Sequence, residues 1–431
     1  MVSTVSVVAQ SNTVYEIPGL NTKSSLILEY NDSIDILYNK NGNSAFILVN
    51  KSSGMVIEET VATLDEVTDM EISGDMVYFC GETTTNQQVM GRFDINNLFF
   101  SSGSIEIFQI PISPTIGIYP GKLYLRKLEV YAPFLNDIHV FMVGDMIFNA
   151  PNNYPPDYTC LIDVYYNGTY WQASYIYQPG GDYLFDDLAV TANYLMVVGH
   201  KYTGGDYSHK AATLTPSTFP IIYPCTTGSI GPIPMYSSDP IYYFTTNRQL
   251  IEALDNDEYV ILSYGEFEMN PGVVFSYYTS PGVLAYRWMV PNVTSTTEFR
   301  DLRKINGVDQ LYVVPDHNNT VTKDRLYKSD YFANPGTLTS SQMEVLHSLD
   351  RRIGADGAIV SGETTSGHLG IWEAFYATDA CAADSYLPLF GTVHPVSSWD
   401  MDEIVCDYID ISPIYCSTKR KKHQLSIICE N

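Results

Sequence analysis

One spacing of an acidic residue, a turn residue and a glycine recurs along this chain of 431 residues. It occurs three times: Asp69-x5-Asp75-x5-Gly81, Asp187-x5-Asn193-x5-Gly199 and Asp350-x5-Asp356-x5-Gly362. In the first and third copies the glycine is also followed by Glu-Thr-Thr. A spacing that returns so far along a chain is typical of a repeated structural unit. The sequence therefore constrains the architecture before it indicates any chemistry.

Short apolar runs that end at a glycine or a turn residue recur as well, for example at 76–80, 194–198 and 357–361. Such runs are typical of strands buried on both faces of a sheet. A weaker strand pattern precedes each run, and alternating patterns follow it. Pro and Gly interrupt every helical pattern, and the 34 Tyr suit half-buried, pleated surfaces. We therefore expect an all-β chain made of four-stranded antiparallel units.

Repeated four-stranded units predict a β-propeller, in which the sheets are blades around a central channel. We expect one domain over residues 1–431 with seven blades. The approximate blades are 67–122, 123–184, 185–247, 248–297, 298–343 and 344–398, and a composite of 24–66 with 399–431. The composite blade would close the ring with strands from both termini and so remove free sheet edges. Eight blades, if residues 1–22 add strands, and six blades are the alternatives.

Two segments resemble a known repeat. Residues 197–207 followed by 211–214, and residues 74–81, are similar to the repeat of secreted bacterial β-propeller proteins of the Bacteroides type. The resemblance implies the fold and an extracellular or cell-surface location. It brings no catalytic residue with it, because such repeats occur in proteins of many functions.

The chain is strongly acidic, with 49 Asp and Glu against 23 Lys and Arg, for a net charge of −26. Such a surface repels nucleic acid and anionic membranes. Cations, glycans and basic proteins remain candidate partners, and a role in solubility alone is the alternative. The chain has no apolar run of about 18 residues, so we expect no transmembrane helix. Residues 1–10 lack the features of a signal peptide, so we expect either a cytosolic protein or one whose leader has been removed, and the sequence leaves this choice open.

Acidic residues recur at or near the start of the predicted innermost strands. Equivalent positions of a propeller form a ring at one mouth of the channel, where carboxylates repel one another unless a cation or protons relieve them. The candidate metal ligands are Asp69, Asp187, Asp301 and Asp350, with Ca²⁺ as the cation and no other cofactor. The alternative is that each Asp binds backbone groups of its own blade and holds the turn between blades.

Aromatic loops are the best indication of a binding surface. Flat rings stack on sugars or anchor a protein partner. The candidate ligand-binding residues are Tyr154, Tyr158, Tyr170, Trp171, Tyr278 and Trp288. The alternative is that these rings pack between neighbouring blades.

No catalytic signature is present: the chain has no Gly-x-Ser-x-Gly elbow and no glycine-rich phosphate loop. We therefore expect a non-enzymatic binding or scaffold module that holds a glycan or a surface protein on one face. The alternative is a glycan-degrading hydrolase or lyase with carboxylates at the channel mouth, although 49 acidic residues single out no pair.

Among the seven cysteines, Cys416 and Cys429 flank a predicted hairpin turn. If the hairpin forms, the two residues face each other or nearly so. A disulfide between them is then compatible with an oxidising compartment, and the sequence leaves its state open.

Overall fold

The structure, a computed structural model, describes most of residues 12–430. The segments left out of the description are 102, 112–120, 135–136, 149–156, 167, 178–182, 192, 202–206, 214–241, 245–248, 255, 268–269, 281–282, 292–298, 306–309, 316–319, 326–335, 352–356, 376–383, 389–414 and 422–423. Within the described residues the chain is almost entirely β-strand. None of the helices found there has the length and apolar character needed to cross a membrane.

The strands form successive sheets in the order of the sequence, and these sheets are antiparallel apart from one parallel pair in the last large sheet. After β1 (Asn12–Asn21), the first sheet contains β2 (Ser24–Asn31), β3 (Ile34–Asn41), β4 (Asn43–Asn50) and β5 (Met55–Thr60). The second contains β6 (Leu64–Ser73), β7 (Met76–Thr83), β8 (Gln88–Asp94) and β9 (Glu106–Gln109), with the helix α1 (Ile95–Phe100) between β8 and β9. The third contains β10 (Gly121–Phe134), β11 (Asp137–Phe148), β12 (Asp157–Tyr166) and β13 (Trp171–Tyr177).

The remaining sheets follow the same plan. The fourth contains β14 (Tyr183–Val190), β15 (Tyr194–Lys201) and β16 (Tyr207–Thr213). The fifth contains β17 (Tyr242–Phe244), β18 (Leu250–Ala253), β19 (Tyr259–Phe267), β20 (Asn270–Ser280) and β21 (Val283–Pro291). The sixth contains β22 (Phe299–Ile305), β23 (Gln310–Pro315), β24 (Thr320–Arg325) and β25 (Gly336–Thr339).

The last large sheet, called the closing sheet below, joins the two ends of the chain. It contains β26 (Met343–Arg351), β27 (Gly357–Thr364), β28 (His368–Phe375) and β29 (Asp384–Pro388), and β1 lies between β28 and β29. The strands β30 (Tyr415–Lys421) and β31 (Gln424–Glu430) pair with each other in a hairpin, and Cys416 stands opposite Cys429 in its register.

Neighbouring sheets touch through their innermost strands. The contacts run from β2 to β6, β10, β14, β18, β22 and β26, and β26 returns to β2. Sheets arranged in this way around an axis form a β-propeller, so the predicted fold class is confirmed at that level.

Within the described residues, ring closure differs in part from the expectation. Residues 24–60 form a four-stranded sheet of their own, and β1 is the N-terminal strand that completes the closing sheet. The side chains explain why β1 docks there: Val14 and Ile17 are buried, and Glu16 accepts a hydrogen bond from Thr364 and lies 3.0 Å from His368 Nδ1.

The repeated Asp-to-Gly spacing also has a structural cause. In β6 a β-bulge lies between Val67 and Asp69, and Gly81 stands opposite Val67. A Cβ on Gly81 would clash with the carbonyl oxygen of Glu66, so the glycine makes room for the bulged strand. The same pairing of bulge and glycine occurs at Leu125/Lys127 with Gly144, Phe185/Asp187 with Gly199, and Leu346/Ser348 with Gly362.

The third copy of the spacing has the same number of residues as the first, but its aspartate occupies a different position in the strand pairing. Asp350 lies two residues beyond Ser348, which is the residue that directly follows the bulge in β26 as Asp69 does in β6. Between Asp350 and Gly362 fewer residues are paired than between Asp69 and Gly81, but more residues lie in the connection between the two strands. The number of residues from the aspartate to the glycine is therefore the same in both copies. Asp356 lies outside the described residues.

Candidate functional site

A further bulge lies between Phe299 and Asp301 in β22. The residues that directly follow these five bulges form a buried inner ring, named here the first ring: Asp69, Lys127, Asp187, Asp301 and Ser348. The four charged members are at most 8 % exposed. Because the innermost strands surround the axis of the propeller, this ring lines its channel.

Each aspartate of the first ring binds the innermost strand of the next sheet. Asp69 Oδ2 accepts the amide hydrogen of Leu128 at 2.9 Å, and Asp187 Oδ2 accepts that of Ile251 at 3.0 Å. The third such bond, 3.3 Å long, runs from the amide of Leu349 to Asp301 Oδ2. The innermost strand is a sheet edge, so these amides have no strand partner on that side. The carboxylates supply the missing acceptors and tie each sheet to its neighbour.

Lys127 is the basic member of the first ring. Its Nζ lies 3.3 Å from Asp69 Oδ1 and 3.7 Å from Asp301 Oδ1, and so joins the third sheet to the second and to the sixth. Burial lowers the pKa of Lys127, but the carboxylates of Asp301, Asp69 and Asp187 outweigh it and raise the pKa above its usual value. For Asp301, burial acts to raise the pKa, and Lys127 with Arg303 more than reverses this. Both groups are therefore charged at neutral pH.

This arrangement changes the interpretation of the predicted metal site. Three of the four candidate ligands share a ring whose positive charge comes from the chain itself. Asp350 lies outside that ring and accepts the amide hydrogens of Glu29, at 2.9 Å, and Arg351, at 2.8 Å. The part of the chain that the structure describes holds no group of three or more His, Cys, Asp or Glu side chains placed for a metal ion.

Two positions further along the innermost strands lies a half-buried second ring: Glu71, Glu129, Glu252, Arg303 and Asp350. Arg303 is its basic member, with Nη1 3.6 Å from Glu252 Oε2 and Nε 3.9 Å from Asp350 Oδ1. Glu71 Oε2 accepts the amide hydrogen of Val130 at 2.7 Å, which is a further bond to the next sheet. Four carboxyl groups thus face one guanidinium in this ring.

Burial, and to a smaller extent repulsion between carboxyl groups, shifts the pKa values in this ring. Burial raises the pKa of Glu71 to about 8, and the nearby Asp69 adds to the rise. Burial, followed by repulsion from Glu71, raises the pKa of Glu129 well above its usual range. Burial also raises the pKa of Asp350, although Arg303 acts against it. These carboxyl groups repel one another when they are ionised, so the second ring would gain from a positively charged ligand.

The second ring leads to one face of the propeller, named here the acidic face. This face carries the turn at 73–76 and the paired ends of β10 and β11 at Phe134 and Asp137, because the innermost strands run from the first ring through the second in this direction. Tyr166 lies opposite Ile138, which is the second residue of β11. The hairpin 166–171 is therefore on the same face.

Two of the predicted ligand-binding aromatics meet in this hairpin. Tyr170 is 57 % exposed, and Trp171 is half-buried with its ring 4.9 Å from that of Tyr166. The guanidinium of Arg92, on the neighbouring sheet, lies 4.9 Å from the centre of the Trp171 ring and 5.1 Å from that of Tyr166. These distances are typical of cation–π contacts. The hairpin is thus held in place while Tyr170 remains open to solvent.

The other aromatic candidates do not join this group. Tyr278 is fully buried and stacks on Tyr259, with 4.8 Å between the ring centres, where it packs on Ala189 and Val198 of the fourth sheet. It therefore follows the alternative interpretation, packing between blades. Tyr154 lies outside the described residues. Tyr158 and Trp288 are placed only as positions in β12 and β21.

Sequence reasoning missed the basic members of both rings. A lysine and an arginine do not resemble the repeated aspartates, so a search for a repeated residue type passes over Lys127 and Arg303. The available signal was a charged residue inside an otherwise apolar innermost strand, as in Leu125-Arg126-Lys127-Leu128. Using it requires the position of the bulge, which depends on strand register.

Comparisons with known proteins support the fold alone. No family model and no curated protein matches the chain. Among solved structures, it is similar to YCF48 bound to D1 peptide, with 12 % identity, a TM-score of 0.50, and coverage of 88 % of this chain and 100 % of that one. It is also similar to the BP39L lectin from Burkholderia pseudomallei, with 12 % identity, a TM-score of 0.50, and coverage of 82 % and 96 %. Both identities are too low to carry function across.

Proposed function

We propose that this protein is a seven-bladed β-propeller that acts as a non-enzymatic binding or scaffold module. Support for seven blades comes from the contacts between innermost strands, which pass through β2, β6, β10, β14, β18, β22 and β26 before they return to β2.

The acidic face is the proposed binding surface. The observation that carries this proposal is the excess of carboxyl groups in the second ring, on the same face as the exposed Tyr170. A positively charged segment of a protein partner would be attracted to the ring and could pack against the hairpin. A glycan that stacks on Tyr170 and Trp171 is the other ligand class that fits this face.

The two solved structures provide precedent for both ligand classes. One of them was solved with a peptide bound, and the other is a lectin. Propellers of this general shape therefore hold either type of ligand, and the choice for this chain depends on its own residues.

A glycan-degrading activity is less well supported. Catalysis by a carboxyl pair requires groups that can reach a substrate and exchange protons with it. In the first ring, Asp69, Asp187 and Asp301 are buried and already accept hydrogen bonds from backbone amides. Their role in holding the sheets together explains why they recur.

The experiment is a binding screen of the purified chain against basic peptides and a glycan array, with a parallel assay for polysaccharide turnover. Glu252→Gln should weaken peptide binding, Tyr170→Ala should weaken either class, and Glu58→Gln on the exposed outer strand β5 should change neither. Peptide binding should also fall with added salt. Turnover of a polysaccharide, or saturable binding unaffected by the first two variants, would contradict the proposal.

A further inference from the structure

The junction between the first sheet and the closing sheet, named here the seam, holds a buried cluster of charged groups. Lys51, which follows β4, places its Nζ 3.1 Å from Glu29 Oε1, 3.0 Å from Asp35 Oδ1 and 3.1 Å from Glu373 Oε1. Glu29 is 2 % exposed, Asp35 is 0 % exposed and Glu373 is 6 % exposed. The seam is also where β1 docks, since β1 pairs with the strand that carries Glu373.

The ammonium of Lys51 is shared among these three carboxylates. When ionised, carboxylates this close repel one another, which is costly in a poorly solvated site, and Asp35 is the most deeply buried of the three. Among the described residues, Oδ2 of Asp35 has no hydrogen-bond partner, and Oδ1 meets Lys51 as an ion pair without hydrogen-bond alignment. A protonated carboxyl group carries no charge and has an O–H to donate. Asp35 is therefore the group in the cluster that gains most from a proton.

We propose that Asp35 holds a proton in the folded protein and that this proton keeps the seam closed. Glu29 stands opposite Asp35 in the register of β2 and β3, so its carboxylate is placed to share that proton. When the proton is lost, the carboxylates of the first sheet repel Glu373 of the closing sheet. This repulsion would weaken the docking of β1, because Tyr15 of β1 donates a hydrogen bond to Glu373 Oε2 at 3.4 Å.

The protonation equilibria agree with this geometry. Burial raises the pKa of Asp35 to about 8; Lys51 acts to lower it, and Glu29 and Glu373 act to raise it. Burial lowers the pKa of Lys51, but the surrounding carboxylates reverse this, and the lysine stays charged. Among the described residues, the charged groups that face Asp35 are Glu29 on β2, Lys51 after β4 and Glu373 on β28.

The sign of the effect on stability follows from these values. The pKa of Asp35 is 3.8 without the influence of the fold and about 8 within it. The folded protein therefore binds a proton that the unfolded chain lacks between about pH 4 and pH 8. The stabilisation from this group is fully present below that window, falls as the pH rises through it, and is lost above it.

The test compares the wild type with Asp35→Asn, whose neutral amide mimics the protonated acid. Relative to this variant, the unfolding equilibrium constant of the wild type should rise by about tenfold per pH unit inside the window, or about 100-fold from pH 5.5 to 7.5. Hydrogen exchange of residues 12–21, corrected for intrinsic rates, should accelerate over the same range in the wild type alone. Asp32→Asn, at the exposed β2–β3 turn, is the matched control and should follow the wild type.

The outcome that overturns the proposal is an identical pH dependence for the wild type and Asp35→Asn. If Asp35→Asn does not fold, Glu373→Gln provides the second variant. Removing one negative charge beside Asp35 should move the midpoint of the pH dependence to lower pH. A midpoint at the wild-type position, or exchange of residues 12–21 that does not change between pH 5.5 and pH 8.5 in the wild type, would also exclude the proton-held seam.

Discussion

Replacing Lys127 tests whether the chain supplies its own cation to the first ring. Lys127→Met keeps most of the length of the side chain and removes the ammonium, which lies 3.3 Å from Asp69 and 3.7 Å from Asp301. Breaking a buried ion pair by removing one partner costs about 3–5 kcal/mol, because the other charge stays buried. Asp69 and Asp301 each keep a backbone amide donor, which limits the loss. We therefore expect a decrease of about 3–5 kcal/mol in the free energy of unfolding at pH 7.

The assay is urea denaturation of both proteins at several pH values. The loss should shrink below about pH 4, where carboxylates take up protons and no longer need a cation. Lys122→Met is the matched control on the same strand: Lys122 forms a 2.9 Å ion pair with Glu82 near the surface, and such pairs contribute about 0–1 kcal/mol. A Lys127→Met protein no less stable than Lys122→Met, or a loss independent of pH, would refute the reasoning.

Three further changes test other parts of the structure. Asp187→Ala removes the acceptor of two buried amide hydrogens and should lower the free energy of unfolding by about 2–6 kcal/mol. Asp32→Ala, at an exposed turn, is the control and should change it by no more than about 0.5 kcal/mol. Similar urea midpoints for the two variants would argue against the role of Asp187 in joining the sheets. Gly81→Ala places a Cβ against a backbone carbonyl oxygen and should cost about 1–3 kcal/mol, so an unchanged melting temperature would contradict the bulge interpretation. Cys416 and Cys429 are register partners and should form a disulfide when glutathione disulfide is the oxidant; continued thiol labelling of both would rule this out.

The sequence predicted the fold class because its strongest signals are local. Apolar runs bounded by turn residues mark strands whatever their partners are. Ring closure is different, because β1 pairs with a strand from the other end of the chain and contains Pro18 and Gly19, which weaken its pattern. The composite blade was therefore assigned to 24–66 and 399–431, whereas residues 24–60 complete a sheet alone.

The candidate site was predictable only as far as residue type repeats. Asp69, Asp187 and Asp301 were found because they are alike, and they do share the first ring. Asp350 is a candidate because it has the same spacing to a following glycine, although the strand register places it in the second ring. Lys127 was missed because it occupies the same position after the bulge as the aspartates do but has the opposite charge. Register, rather than composition, decides which side chains meet at the axis of a propeller.

The central claim is that the aspartates of the first ring hold neighbouring sheets together. Native-state hydrogen exchange at the amides of Leu128, Ile251 and Leu349 tests it most directly. These amides lie on the open edge of the innermost strands, so the carboxylates are the acceptors that protect them. We expect exchange as slow as that of the buried inner strands. Exchange as fast as that of exposed turn amides would contradict the account.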